Sequence, residues 1–240
     1  MNVIELANIS YSYKDETVLR NVNLKVKKQE NLVILGGSGA GKSTILKIIL
    51  GLLKPESGSV KLFGEDITQL KEKDILPIRH RMGMVFQGGA LFDSLRVWEN
   101  VAYCMMEGHG ATVEAIQKNV KEKLAFVDLQ HAFKYLPSEL SGGMRKRVAI
   151  ARAIVCDPEI VLFDEPTAGL DPIASKIINL LIVKLRDEKW ATSVVVTHIL
   201  KDAYAVADRV VMLKNGEIIF EGGLEDLQLS KDPYISEFVQ

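Results

Sequence analysis

Three textures follow one another along the chain. Residues 3–27 and 59–64 alternate apolar and polar positions, as in Val22, Leu24 and Val26 or Val60 and Leu62. A period of two puts every second side chain on one face, which predicts half-buried antiparallel strands. Leu32–Leu35, Ile160–Phe163 and Val194–Val196 are instead short unbroken apolar runs, each followed by helical spacing. Such runs suit central strands of a parallel sheet covered on both faces. Between about 90 and 157 the strand signal gives way to helical spacing, as in Val113, Ile116, Val120, Leu124 and Val127. Val210–Leu213 and Ile218–Phe220 flank Asn215-Gly216, a pair that favours the type I′ turn of a hairpin. The expected fold is an α/β core, about 1–89 and 158–240, with an N-terminal antiparallel subdomain. A helical lobe is inserted over about 90–157, and 1–240 form a single domain.

The strongest chemical signal lies between the Leu32–Leu35 strand and the helical run Ile45, Leu46, Ile48, Ile49, Leu52, Leu53. It is Gly36-Gly37-Ser38-Gly39-Ala40-Gly41-Lys42-Ser43, followed by Thr44. This is the phosphate-loop pattern in its required strand–loop–helix setting. Glycines let backbone N–H groups turn inward around a polyphosphate, with the helix dipole behind them. Lys42 is expected to neutralise the β/γ-phosphates, and the Ser43 hydroxyl to ligate Mg²⁺. A second constellation, Asp164-Glu165, ends the apolar run Ile160–Phe163. Asp164 there suits the Mg²⁺ shell and Glu165 an attacking water. Thr197-His198 ends the run Val194–Val196, on the edge where parallel strands present ligands, so His198 is a candidate contact for the γ-phosphate.

Composition narrows the classes. Lys and Arg number 30 against 31 Asp and Glu, a net charge of −1, with 48% hydrophobic and 25% charged residues. That excludes a disordered or collagen-like chain, and it argues against a generic nucleic-acid or membrane-surface binder, which needs a basic excess. The two cysteines, Cys104 and Cys156, lie far apart in sequence and read as ordinary thiols of a reducing compartment. The four histidines (His80, His109, His131 and His198) are scattered and suggest no zinc site. The N-terminus lacks a signal-peptide pattern, and the stretches Ile45–Leu53 and Ile177–Val183 are interrupted or too short for a bilayer. The expected location is cytosolic, or on a membrane through another protein.

Leu140-Ser141-Gly142-Gly143-Met144, continued by Arg145-Lys146-Arg147-Val148-Ala149-Ile150-Ala151-Arg152-Ala153, resembles the signature motif and helix of ABC-type ATPases. Its physics is a second anion site: a serine N-cap, two glycines and a helix dipole. The resemblance covers essentially the whole chain and implies a P-loop NTPase fold of the RecA-like kind. It implies ATP and Mg²⁺ as ligands, with Tyr13 stacking on adenine and Gln87 reaching the metal and γ-phosphate. It also implies Asp164 and Glu165 as the Walker B pair, Ala168-Gly169-Leu170-Asp171 as the D-loop and His198 as the switch histidine. Two copies are expected to pair head to tail, each signature closing over the other's phosphate loop.

Met144 stands where the signature usually has Gln, Ile199 follows the histidine where Asp is usual, and Ala168 starts the D-loop in place of Ser. Leu140–Arg147 and the run Met84–Leu95 with Trp98-Glu99-Asn100-Val101 are similar to the ATPases of Mla/Mce-type lipid transporters. That resemblance implies lipid as cargo, a separate membrane permease, an Mce-domain protein as a further partner, and a peripheral position on the inner face of the cell membrane. Simpler readings stand beside it. Asp171 before Pro172 is a good helix start, Tyr13 a plain strand aromatic, and Arg145–Arg147 a solvated helix face. Leu91, Phe92, Leu95 and Trp98 form either a socket for a permease loop or the packing of the lobe itself. Alternative functions are transport of another small substrate, or an ABC ATPase acting on DNA or ribosomes. The latter usually fuses two units or carries coiled-coil arms, and nothing here sustains heptads. No nucleic acid is expected as a partner.

Overall fold

The structure is a computed structural model that describes residues 1–107, 112–189 and 191–239, so His109 lies outside the described residues. Strands β1 (Asn2–Tyr13), β2 (Glu16–Lys27), β4 (Ser57–Leu62) and the short β5 (Glu65–Asp66) form an antiparallel sheet in the order β2-β1-β4-β5. A second sheet is built from β3 (Asn31–Leu35), β6 (Met82–Val85), β7 (Ile160–Asp164), β8 (Thr192–Thr197), β9 (Arg209–Lys214) and β10 (Glu217–Gly222). Its order is β10-β9-β3-β8-β7-β6, parallel throughout except for the β9–β10 hairpin. Asn215 and Gly216 both take positive φ, at 49° and 80°, as the expected turn requires.

The unbroken apolar runs make sense because each parallel strand sorts its side chains by parity. Leu32, Ile34, Ile160, Leu162, Val194 and Val196 face one core, which they share with the antiparallel sheet and helix α1 (Lys42–Ile49). Val33, Leu35, Val161, Phe163 and Val195 face the other. That second core is closed by α3 (Val97–Glu107), α4 (Val113–Phe126), α5 (Gly142–Ala153), α6 (Pro172–Lys189) and α7 (Leu200–Val206). Helix α2 (Glu72–Arg79) covers the first core instead, through Ile75 and Ile78. The chain ends in α8 (Leu224–Gln228) and α9 (Pro233–Val239), which pack Leu227 and Ile235 onto the second core.

Several local expectations are corrected. Helix α1 stops at Ile49 rather than running on to Leu53, because Gly51 turns left-handed at φ 67° and leaves Leu52 exposed. Val113 is the first residue of α4 and is 60% exposed, so the buried stripe starts at Ile116. Strand β6 was not expected at all. Met82-Gly83-Met84-Val85 has weak strand character, yet it pairs with β7 from Met82↔Ile160 to Val85↔Phe163.

Gly83 explains how helix α5 can lie so close to this edge strand. A Cβ at that position would stand 2.3 Å from the Ala153 carbonyl oxygen at the end of α5. Gly83→Ala is therefore expected to destabilise the chain by roughly 1–3 kcal/mol through overpacking. A urea melt should show a lower midpoint with an unchanged slope, and an unchanged midpoint would remove the close approach as a constraint.

Candidate functional site

Strands β3, β7 and β8 run parallel and finish along one edge of the sheet, at Leu35, Asp164 and Thr197. Open α/β sheets present ligands at such an edge. The phosphate loop leaves it and enters α1 at Gly41, whose φ of 104° is open to glycine and strained for other residues. No side chain caps this helix start, so its N–H groups point outward with the dipole behind them. Gly36, Gly37, Ser38, Gly39 and Ala40 form the turn, with the Ala40 N–H donating to the Gly37 carbonyl at 3.3 Å. Ser38 and Gly39 are exposed, and Thr44 is half-buried in the first turn of α1.

Lys42 is 6% exposed, and its ammonium donates to the Gly36 and Gly37 carbonyls at 2.9 Å each. It also stands 3.6 Å from Glu165 Oε1. The Ser43 hydroxyl donates to Asp164 Oδ1 at 2.9 Å. Burial pushes the Asp164 carboxyl up; the Ser43 bond opposes that, Glu165 adds to it, and Lys42 and Lys47 oppose it. Ser43 and Asp164 thus offer two adjacent hard oxygens, the donor type that Mg²⁺ takes.

Glu165 is the most constrained of these side chains. It is 8% exposed and sits in the left-handed region at φ 46°, with its N–H donating to the Val196 carbonyl at 2.9 Å. Its Oε2 is 2.9 Å from His198 Nδ1. The histidine anticipated as a phosphate contact therefore touches the carboxylate here, while its ring remains half exposed. Lys42, Ser43, Asp164, Glu165 and His198 form one connected group.

The other expected residues lie around this group or away from it. Gln87 is exposed at the tip of a turn closed by the Gly89 N–H on the Phe86 carbonyl at 2.8 Å. Tyr13 ends β1 with 63% of its surface open and its ring edge-on to Tyr11. Ser141 caps α5, its Oγ accepting from the Met144 N–H at 3.2 Å. Ser141, Gly142, Gly143 and Met144 line a separate cavity of about 570 Å³ with Gly169, Leu170 and Asp171, and no residue of 36–43 lines it. Met144, in the place of the usual glutamine, packs partly on the second core. Asp171 caps α6, its Oδ1 accepting from the Ile173 and Ala174 N–H groups at 2.9 Å, so the plain helix-start reading has a geometric basis.

One sequence reading changes, and two gain detail. The run Arg145–Arg147 is not a solvated face. Lys146 is 6% exposed and donates to the Gln87 and Glu165 carbonyls, while Arg147 donates to the Val127 carbonyl at 3.0 Å. Burial pulls the Lys146 ammonium below its usual range, a pull that Asp164 and Glu165 oppose. The cysteines, far apart in sequence, meet on one groove as hydrogen-bonded thiols, which with burial holds Cys156 well above the usual thiol range. Of the apolar residues after Gln87, Leu91 packs on the core and Trp98 stacks on Phe133 at 5.9 Å, whereas Phe92 is 43% exposed.

Comparison with known proteins bears on what this arrangement serves. The ABC transporter family profile matches residues 19–168. The chain is 40% identical to the intermembrane phospholipid transport system ATP-binding protein MlaF of Haemophilus influenzae, over 100% of this chain and 90% of that one. It is 35% identical to the MlaF protein of Escherichia coli K12, over 99% and 88%. Among solved structures, a dimeric ATP-binding cassette in a post-hydrolysis state with ADP and Pi superposes with a TM-score of 0.84 at 37% identity, covering 92% of this chain and 98% of that one.

The geometry makes Lys42 the first residue to test. Mg·ATP at about 100 times its dissociation constant stabilises a binding protein by roughly 2.7 kcal/mol. Wild type is expected to show that upward thermal shift and Lys42→Ala little of it. Equal shifts in both would take the phosphate contact away from Lys42.

Proposed function

The chain belongs to the ABC transporter family and is an ATPase of it, and from that premise we propose that it drives a lipid transporter as a head-to-tail homodimer. Phospholipid is the cargo class in the names of its MlaF relatives. The observation that carries the mechanism is Glu165, held between Lys42 at 3.6 Å and His198 at 2.9 Å on the edge where the phosphate loop opens.

In this reading Tyr13 stacks on adenine, and the N–H groups from Gly36 to Thr44 cradle the phosphates. Lys42 leaves its own loop carbonyls for the β/γ-phosphate oxygens. Glu165 accepts a proton from the water that attacks the γ-phosphorus, and His198 orients the carboxylate through Nδ1 while its exposed face meets the γ-phosphate. Gln87 completes the water side of the site. Mg²⁺ fits the oxygen donors of Ser43, Gln87 and Asp164, and when bound it supplies charge neutralisation for the phosphates. Ser141, Gly142 and Gly143 offer their helix start to the nucleotide of the other copy, with Asp171 at the same junction. The separation of that cavity from residues 36–43 supports this division, because one chain alone then holds two half-sites.

Residues 1–89 and 158–240 act as the α/β core and 90–157 as the signature lobe. A permease loop fits the groove of about 500 Å³ beside Gln87, lined by Phe86, Phe92 and Tyr103 among others. All three rings are more than a third exposed, and Phe92 and Tyr103 lie 4.7 Å apart. Among the described residues no helix is long and apolar enough to cross a membrane, which is in keeping with a peripheral subunit held at the inner face by that permease. An Mce-domain protein is the further partner, and no nucleic acid is involved.

Two measurements test the reading. Glu165→Gln should keep nucleotide binding while turnover drops by ~10²–10⁴-fold, the worth of general-base assistance. ATP-bound dimer should then accumulate on size-exclusion chromatography. Turnover at the wild-type rate would require another base. For docking, Phe92→Asp should leave the ATP-induced thermal shift intact and release the subunit from detergent-solubilised membranes that contain its permease. A folded Phe92→Asp protein that stays bound and supports transport would place docking elsewhere.

A further inference from the structure

Helix α5 commits three cations to main-chain carbonyls of other segments: half-buried Arg147 to Val127, and buried Lys146 and half-buried Arg152 to the stretch around Gly88. Lys146 Nζ donates to the Gln87 carbonyl and, at 3.3 Å, to the Glu165 carbonyl. Arg152 donates to the Gly89 carbonyl at 2.9 Å and the Ala90 carbonyl at 2.6 Å. One helix therefore holds the backbone on both sides of Gly88 and, through Lys146 alone, the backbone of Glu165 just past β7.

Packing does not account for a lysine at this place. An ammonium that is 6% exposed carries a desolvation cost that a methionine of similar length avoids. Its hydrogen bonds do account for it. The two carbonyls belong to segments 59 and 19 residues away, and each is the carbonyl of a residue assigned to the water side of the site. The same helix offers its start, Ser141, to a nucleotide held by the other copy. Lys146 lies five residues further on, about 7.5 Å along the axis. A shift of α5 as that nucleotide seats would be felt directly at Gln87 and Glu165.

We propose that Lys146 is a positioning residue for hydrolysis, a strut that ties the signature helix to Gln87 and Glu165 at once. The water-polarising carboxylate of one subunit is thereby set by the helix that closes on the nucleotide of the other. This rests on Glu165 acting as proposed above.

The test is steady-state ATP hydrolysis by the full chain, with Lys146→Met and Lys146→Gln in wild-type and Glu165→Gln backgrounds. Lys146→Met is expected to lower kcat by between about 10- and 100-fold, the loss a misplaced catalytic group produces, with KM for ATP within about two-fold. Lys146→Gln keeps an N–H donor of comparable reach and should recover part of that loss. In the Glu165→Gln background Lys146→Met should lower the residual rate by less than about three-fold, because both changes act on one step. Unchanged kcat, a loss confined to KM, or equal losses in both backgrounds would each overturn the strut. If Lys146→Met does not fold, Lys146→Ala, which also removes the donor, is read by the same criteria. Wild-type turnover by Glu165→Gln alone overturns the role of that carboxylate instead, and the kcat of Lys146→Met still decides the strut.

Discussion

In the proposed reaction, a carboxylate that assists phosphate cleavage sits beside the most negative group it will ever meet. Most of this site can be understood as the management of that repulsion. Glu165 is buried, conformationally strained at φ 46°, and flanked by Lys42 on one oxygen and His198 on the other. Its carbonyl is gripped by Lys146 from the helical side. A left-handed residue without glycine's freedom costs on the order of 1–3 kcal/mol, and it persists only where the surroundings over-determine it. The surroundings here do so from three separate elements. The sheet supplies the hydrogen bond from the Glu165 N–H to Val196, the phosphate loop supplies Lys42, and the signature helix supplies Lys146.

The two cores serve the same end. Because the parallel strands place alternate residues on opposite faces, the sheet is clamped between the antiparallel sheet with α1 and the helical layer. The phosphate loop, Asp164, Glu165 and His198 are all mounted on its carboxyl edge, so both cores bear on the line that carries the chemistry. Gln87, the cavity beside Ser141 and the exposed rings of Phe92 and Tyr103 belong instead to elements that meet this line through few polar contacts.

What could be read from the residues divides along the same line. The phosphate loop and the Asp164-Glu165 strand end were legible because the chemistry demands particular residue types at consecutive positions, framed by strand and helix. The Asn215-Gly216 hairpin was legible because the turn itself demands positive φ at two residues in a row. Strand β6 was not, since Met82 to Val85 owe their extended form to the edge of β7 that they join. Lys146 was not legible either. Between Arg145 and Arg147 it reads as one base among three, and only the return of the chain at residues 87 and 165 buries it. The meeting of Cys104 and Cys156 escaped for the same reason, as did the separation of Phe92 from Leu91 and Trp98, which are partly buried against the core. Contacts of long sequence separation leave no periodic trace.

The distance kept between the signature cavity and the phosphate loop has a consequence for inheritance. Under head-to-tail pairing, every reaction chamber draws its halves from two copies of the chain, and a defective copy compromises a chamber in whichever dimer it joins. In a cell making normal and defective chains in equal amount, only roughly one dimer in four would be wholly normal. A lesion at Lys42 or Glu165 would then leave a mixed dimer with one whole chamber and one spoiled chamber, whereas a chain that merely unfolds never enters a dimer to spoil it.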